Sequence, residues 1–344
     1  MEQVDLHRYE TTQRLGTGAD YEVWAAVERQ TAQPVVLKRP LPQTIRHQQH
    51  TGIEARTDRL LQAYRTVGHT IPTVCPIIGY TERANHDAYF GDTLGREYRV
   101  LVQEHAAGIP LVGDPRARIT GTPIGVGQNL FALFPLAQPE GALPFAIHRQ
   151  LLDLEEAFYR AGYLLLDLRP FNVFYQPASG RITAIDCGAL AELPSAVDRQ
   201  GRPTHDIHDF YLEMLRFYTT PQLPPAQASG YREPYGLRPI RDFARELDGL
   251  AQQFRAMPDP DIRAAALMLI DQVRQRAYAE FADFRRDLLA YLEAVRQAHQ
   301  AMPALAEARR AWAEALGWLH ADYWQRFRFR PEVELAGLAR AIAS

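Results

Sequence analysis

Cysteine is nearly absent: the 344-residue chain holds only Cys75 and Cys187, far apart in sequence. So few thiols argue against a disulfide framework and against a cysteine-built zinc site, and they fit a reducing, cytoplasmic setting. Basic excess is lacking too. A net charge of −3 gives no reason to expect a nucleic-acid partner. Long apolar runs are missing, since the longest, such as residues 264–270, fall far short of the ~20 residues that span a bilayer. The opening Met1-Glu2-Gln3-Val4-Asp5 is neither basic nor apolar, so no targeting segment and no membrane partner are expected. No internal repeat and no low-complexity tract stands out. What remains is 47% hydrophobic and 23% charged, the composition of a globular protein able to bury a full core. The length suits one large two-lobed domain or two ordinary ones.

The first hundred residues read mainly as strands. Residues 21–27 alternate and are rich in β-formers, and 34–38 form a second short strand after a polar turn. Residues 51–67 switch to a helical period, with Ile53, Leu60 and Tyr64 on one face. Strand character returns at 74–80 and 98–103. Residues 109–144 are rich in Gly and Pro and read as an insertion or long linker, with a short element near 130–134. A helix is expected over 144–161, with Ile147, Leu151, Leu154 and Phe158 at 3–4 spacing and Gly162 at its end. Two short strands, 173–175 and 182–185, follow around a turn at 177–180. From Asp206 onward the pattern is largely helical. The expected fold class is therefore α+β: a β-rich lobe with one helix, a Gly/Pro-rich crossing, then a helical lobe with a C-terminal helical extension.

Several residues suit phosphate chemistry. Gly16 and Gly18, one residue apart, let backbone N–H groups approach an anion without a Cβ in the way. An ordinary hairpin turn explains such a pair equally well. Lys38 ends the second strand, where an ammonium can reach a phosphate as a point charge. Glu54, on the next helix, is placed to pair with it. Asp167 and Asn172 lie five residues apart in a short turn, and Asp186 follows the hairpin. Phosphoryl transfer needs a carboxylate to orient a hydroxyl nucleophile, which suits Asp167. It also needs oxygen ligands for Mg²⁺, which suits Asn172 and Asp186. Arg169 is suited to neutralise charge on the transferring group.

In this order and spacing the chain resembles the protein-kinase superfamily, in a divergent form near the bacterial serine/threonine kinases, from about Tyr9 to about Ala294. Gly16-Thr17-Gly18 looks like the glycine-rich loop and Lys38 like the ATP lysine, with Glu54 its helix partner. Residues 100–106 look like the hinge. The resemblance puts Gln103 at the gatekeeper position, Glu104 and Ala106 at the backbone groups facing adenine, and Val23 against the base. Asp167 to Asn172 is similar to the catalytic loop, Asp186-Cys187-Gly188 to the metal-binding triplet, and residues 205–210 to the start of the C-lobe helix whose aspartate braces that loop. The resemblance implies a bilobal fold with a kinase N-lobe and hinge over 9–106, a C-lobe over 107–296 and an extension over 297–344. It also implies ATP and Mg²⁺ as cofactors and transfer of the γ-phosphoryl group to a hydroxyl, first of all Ser/Thr of a protein. A small-molecule acceptor, or a nucleotide-binding pseudokinase scaffold, stands as the alternative.

The departures are specific. Tyr21 stands at the third glycine, Leu165-Leu166 where His-Arg usually precede the aspartate, and Cys187 where phenylalanine is usual. No clear Ala-Pro-Glu follows Gly188. Activity is accordingly expected not to depend on a phosphorylated activation segment. The aromatic and basic strip 316–330 offers a surface for a protein partner, or a helix face packed on the C-lobe.

Overall fold

A six-stranded mixed sheet begins the chain. The computed structural model describes residues 1–17, 21–40, 53–68, 71–92, 95–110, 146–166, 168, 172–176, 179–194, 206–219 and 242–300. The chain divides into two compact units, Met1–Ala107 with Thr183–Leu190, and Gly108–Ile182 with Ala191–Ser344.

The first unit is built on strands β1 (Glu2–Gln3), β2 (Tyr9–Thr17), β3 (Tyr21–Glu28), β4 (Pro34–Pro40), β5 (Ile77–Tyr80) and β6 (Leu101–Glu104), with helices α1 (Ile53–Val67) and α2 (Asp87–Phe90). The order in the sheet is β1-β5-β6-β4-β3-β2. Only β1 and β5 run parallel; the other neighbours are antiparallel. β4 is covered on both faces, and from Val35 to Pro40 every residue is buried, as a central strand requires. Val35 and Leu37 join Val4, Leu6, Tyr9, Ala26, Tyr98, Val100 and Val102 in the core beneath one face. Val36 and Lys38 lie on the opposite face, because side chains alternate along a strand.

Arg39 shares the face of Leu37 and is 2% exposed. Its guanidinium pairs with Glu22 and Asp92 and lies over the Phe90 ring, 4.2 Å from the centroid. Two carboxylates and an aromatic face make this burial tolerable.

The strand expected over 74–80 is shorter in the ladder. Pro76 has no N–H to offer, so pairing starts at Ile77 and Val74 makes a single bridge to Ala184. The strand expected over 98–103 is likewise shifted: Tyr98 pairs only with Ala84, and the ladder runs over Leu101–Glu104.

The second unit holds β7 (Ile109–Pro110), α3 (Ala146–Arg160), β8 (Tyr163–Leu165), β9 (Val173–Gln176), β10 (Arg181–Ala184), α4 (Ile207–Tyr218), α5 (Phe243–Arg255), α6 (Pro260–Arg274) and α7 (Phe281–Gln300), with the chain crossing into the first unit inside β10. The four residues expected on the buried stripe of α3, Ile147, Leu151, Leu154 and Phe158, are all 0–1% exposed. The helix starts follow local chemistry. Asp206, Asp242 and Asp259 accept N–H bonds in the first turns of α4, α5 and α6, and Pro260 occupies the first position of α6. Gly108 has φ +98°, and a Cβ there would come within 2.4 Å of the Tyr175 carbonyl, so only glycine admits the β7–β9 approach. Arg285 on α7 pairs with Asp153 and Glu156 of α3. α7 runs without a break past residue 297, where the C-terminal extension was expected to begin.

Glu155 is buried inside this unit, 2% exposed, and its Oε2 meets no hydrogen-bond partner among the described residues. Burial pushes its carboxyl pKa well above the ordinary range. A carboxyl whose folded pKa is raised stabilises fully below its unfolded pKa, and that contribution is lost as pH rises toward the folded pKa. Glu155→Gln should therefore gain stability relative to the parent chain from about pH 5 upward. Urea unfolding at pH 5 and pH 8 checks this; an unchanged difference between the two proteins would contradict it.

Among the described residues no helix is long and apolar enough to cross a membrane. The insertion expected over 109–144 lies outside the described residues from 111 on, as does the tail from 301.

Candidate functional site

Lys38 is the natural starting point. It pairs in register with Val23 of β3 and Leu101 of β6, which puts it on the sheet face opposite the Val35–Leu37 core. Its Nζ lies 3.4 Å from Oδ1 of Asp186, a residue 148 positions away. The two side chains differ in exposure: that of Lys38 is 10% exposed and that of Asp186 is 42% exposed. A buried ammonium stem thus meets a carboxylate with one side open to solvent.

The segment that carries Asp186 is fixed by the backbone. Ala184 donates to the Thr73 carbonyl at 2.7 Å, and Cys75 N–H donates to the Ala184 carbonyl at 2.9 Å. Two residues on, Asp186 adopts φ +61°. Left-handed backbone is unfavourable for most side chains, and aspartate tolerates it better than most. The conformation persists because the chain is pinned before Asp186 and held again after it, where Arg59 Nη1 of α1 donates to the Leu190 carbonyl at 3.3 Å.

Glu54 is not the partner of Lys38. It is half-buried on α1, where burial raises its carboxyl pKa while Arg83, Arg96 and Arg99 act against that rise. The other acid of the helix, Asp58, pairs with Arg99 at 3.0 Å. Glu54 lies three residues before Thr57 and seven before Leu61, at the edge of the buried stripe of α1, whereas Asp58 lies off it.

Gly16 sits at a register shift in the β2–β3 pairing, and no atom of the described residues lies within 4 Å of the place where its Cβ would be. Val23 is half-buried on the same sheet face as Lys38. At the end of β6, Gln103 is buried and donates through Nε2 to the Cys75 carbonyl at 3.0 Å. The Glu104 N–H is committed to the Pro76 carbonyl at 2.9 Å. The Glu104 carbonyl takes the Cys75 thiol at 3.2 Å, a weak donor that leaves the second lone pair. Ala106 is buried.

In the second unit, Asn172 is 7% exposed and directly precedes β9. Asp206 caps α4, accepting from His208 N–H at 2.8 Å, and pairs with Arg276. Burial works against the Asp206 carboxylate, but Arg276 and the His208 bonds outweigh it and hold its pKa below the ordinary value. Gly18, Asp167 and Arg169 lie outside the described residues.

Comparison with protein-family models and with curated proteins finds no match to this chain.

Two residues near Lys38 carry more than the sequence suggested. Tyr21 turns its hydroxyl onto Thr57 of α1 at 2.5 Å. Tyr64, deeply buried, is hydrogen-bonded to Cys187, and burial first, then the two thiols, push its pKa well above the ordinary phenol value. A threonine and a tyrosine on the apolar stripe of a helix were the only sequence signals for these contacts.

Proposed function

We propose that this chain has a bilobal protein-kinase-like fold and is an ATP·Mg-dependent phosphotransferase that moves a γ-phosphoryl group to a hydroxyl acceptor. The observation that carries the reading is the Lys38–Asp186 ion pair, which joins a strand lysine to a solvent-open carboxylate held on left-handed backbone. A hard cation prefers such an oxygen donor, and a phosphate fits beside the ammonium. On this reading Lys38 holds the phosphates, Asp186 and Asn172 hold Mg²⁺, and Asp167 orients the acceptor hydroxyl and takes its proton. Bound ATP supplies the transferable group, and Mg²⁺ neutralises the charge that develops on it. Gly16 and Gly18 cover the phosphates, and Val23, Glu104 and Ala106 border the base.

Serine or threonine of a protein is the first acceptor to test. A nucleotide-binding scaffold without transfer is the second reading. It is favoured by Glu54, half-buried on α1, making no ion pair with Lys38, which then lacks the helix acid that usually fixes it. Incubation with γ-labelled ATP and a panel of protein and small-molecule acceptors separates these readings. Transfer by the parent chain, reduced about 10²-fold or more in Asp167→Asn, is the expected result. Nucleotide binding with no transfer to any acceptor would leave the scaffold reading in its place.

A further inference from the structure

Helix α1 touches both halves of the Lys38–Asp186 pair through neighbours rather than through an acid. On the strand side, Tyr21 opposes Pro40 in the β3–β4 register, two positions along from the Val23–Lys38 pair and therefore on the same sheet face. Its hydroxyl meets Thr57 Oγ1 at 2.5 Å. Thr57 already donates its one hydroxyl proton to the Ile53 carbonyl at 2.8 Å, so Tyr21 is the donor and Thr57 the acceptor. Both residues are buried, Tyr21 at 7% and Thr57 at 1% exposure. On the other side, the same helix holds the segment of Asp186. Leu60 Cδ2 lies 3.9 Å from where a Gly188 Cβ would be, Arg59 bonds the Leu190 carbonyl, and Tyr64 bonds Cys187. Thr57, Leu60 and Tyr64 follow one another at 3–4 spacing, so a shift of α1 at Thr57 is carried to Leu60 and Tyr64.

We propose that Tyr21 and Thr57 are positioning residues: their hydrogen bond seats α1 on β3 in place of a lysine–glutamate pair, and so sets the Lys38–Asp186 spacing on which the phosphates of a nucleotide are held. This rests on the phosphotransferase reading and goes beyond it by assigning a task to the tyrosine that replaces the third loop glycine. Neither residue takes part in the chemistry. Loss of the bond leaves Tyr21 or Thr57 with its ring or methyl packing but without the distance constraint, so the phosphates should be gripped less well while the base is unaffected.

The test compares binding of Mg·ATP and of adenosine by calorimetry to the full chain and to Tyr21→Phe, Thr57→Val and Thr57→Ser. Both disruptive variants are close in shape to the parent residues, so either one that folds suffices. The expected result is a roughly three- to tenfold rise in the Kd of Mg·ATP in Tyr21→Phe and in Thr57→Val, the size of one buried hydrogen bond. Adenosine binding stays unchanged, and Thr57→Ser, which keeps the acceptor, restores parent-like ATP affinity. A merely structural role would lower the melting temperature and leave both Kd values alone, or weaken both equally, and either outcome overturns the proposal. A parent chain that binds no Mg·ATP overturns the phosphotransferase reading and this proposal together, whereas a parent that binds and variants that do not differ overturn this proposal alone.

Discussion

Asp186→Asn should abolish γ-phosphoryl transfer, by about 10³-fold or more, while leaving the fold in place. The two consequences separate because of exposure. Asn keeps the size and the left-handed tolerance of Asp, so φ +61° at this position remains accessible. It loses the charge that faces Lys38 and would bind Mg²⁺. The Asp186 side chain is 42% exposed, so solvent screens the loss, and the cost to stability should be about 1 kcal/mol or less. A 10³-fold drop in rate corresponds to about 4 kcal/mol. The activity loss is thus far too large to be an echo of unfolding. Circular dichroism, thermal melting and a γ-labelled ATP assay on the same preparations decide the matter. Undiminished labelling by Asp186→Asn would remove Asp186 from the mechanism, and with it the assignment of the Lys38–Asp186 pair as the site of transfer.

The largest stability effect is expected far from that site, in the aromatic cluster of the second unit. Phe284 of α7 is completely buried. It stacks on Tyr211 of α4 with centroids 4.5 Å apart and an interplanar angle of 21°, and meets Tyr278 edge-on at 5.4 Å. Phe281 lies 6.2 Å away in the same cluster, and Tyr278 closes it by bonding Asp287 at 3.0 Å. Truncation to alanine removes a large apolar surface and the stacking energy, and it leaves a void that three rings cannot collapse to fill. Phe284→Ala should cost about 3–5 kcal/mol, and Phe284→Leu distinctly less. Urea midpoints with an unchanged slope would measure it. A cost under about 1 kcal/mol for the alanine variant would mean that the cluster repacks freely and does not hold α4 to α7.

The contrast between these two positions mirrors how each was found. Apolar periodicity located the helices well. Ile147, Leu151, Leu154 and Phe158 were read as one stripe, and all four are fully buried in α3. The strand around Lys38 was legible for the same reason, although β4 runs on through Arg39 to Pro40, two residues past the end expected at Lys38. Strand ends were less legible. Pro76 shortens β5 by lacking a donor, and Tyr98 bridges Ala84 instead of extending β6.

Asp186 was singled out by its place after a hairpin and before Cys187-Gly188, and its Oδ1 lies 3.4 Å from Lys38 Nζ. Glu54 was singled out by order along the chain, and there the reading fails. Sequence order says that an acid follows the lysine on a helix; only the helix's rotation about its own axis says which way the acid faces. Burying Ile53, Thr57, Leu60, Leu61 and Tyr64 turns Asp58 out to Arg99 and leaves Glu54 half-buried at the edge of the stripe, where the charges of Arg83, Arg96 and Arg99 act on it.

What the sequence by itself determined is the α+β class, the order of a strand-rich part before a helical part, and the identities of the residues suited to phosphate and Mg²⁺. Those follow from local periods of 2 and 3.6 and from side-chain chemistry, which need no partner to be read. Tertiary structure alone decided which of those residues meet. It brought Lys38 to Asp186 across 148 positions, sent Glu54 elsewhere, and gave Tyr21 a partner in Thr57. Such contacts depend on the register of β3 against β4 and on the face that α1 buries, and both are settled only when the whole core packs.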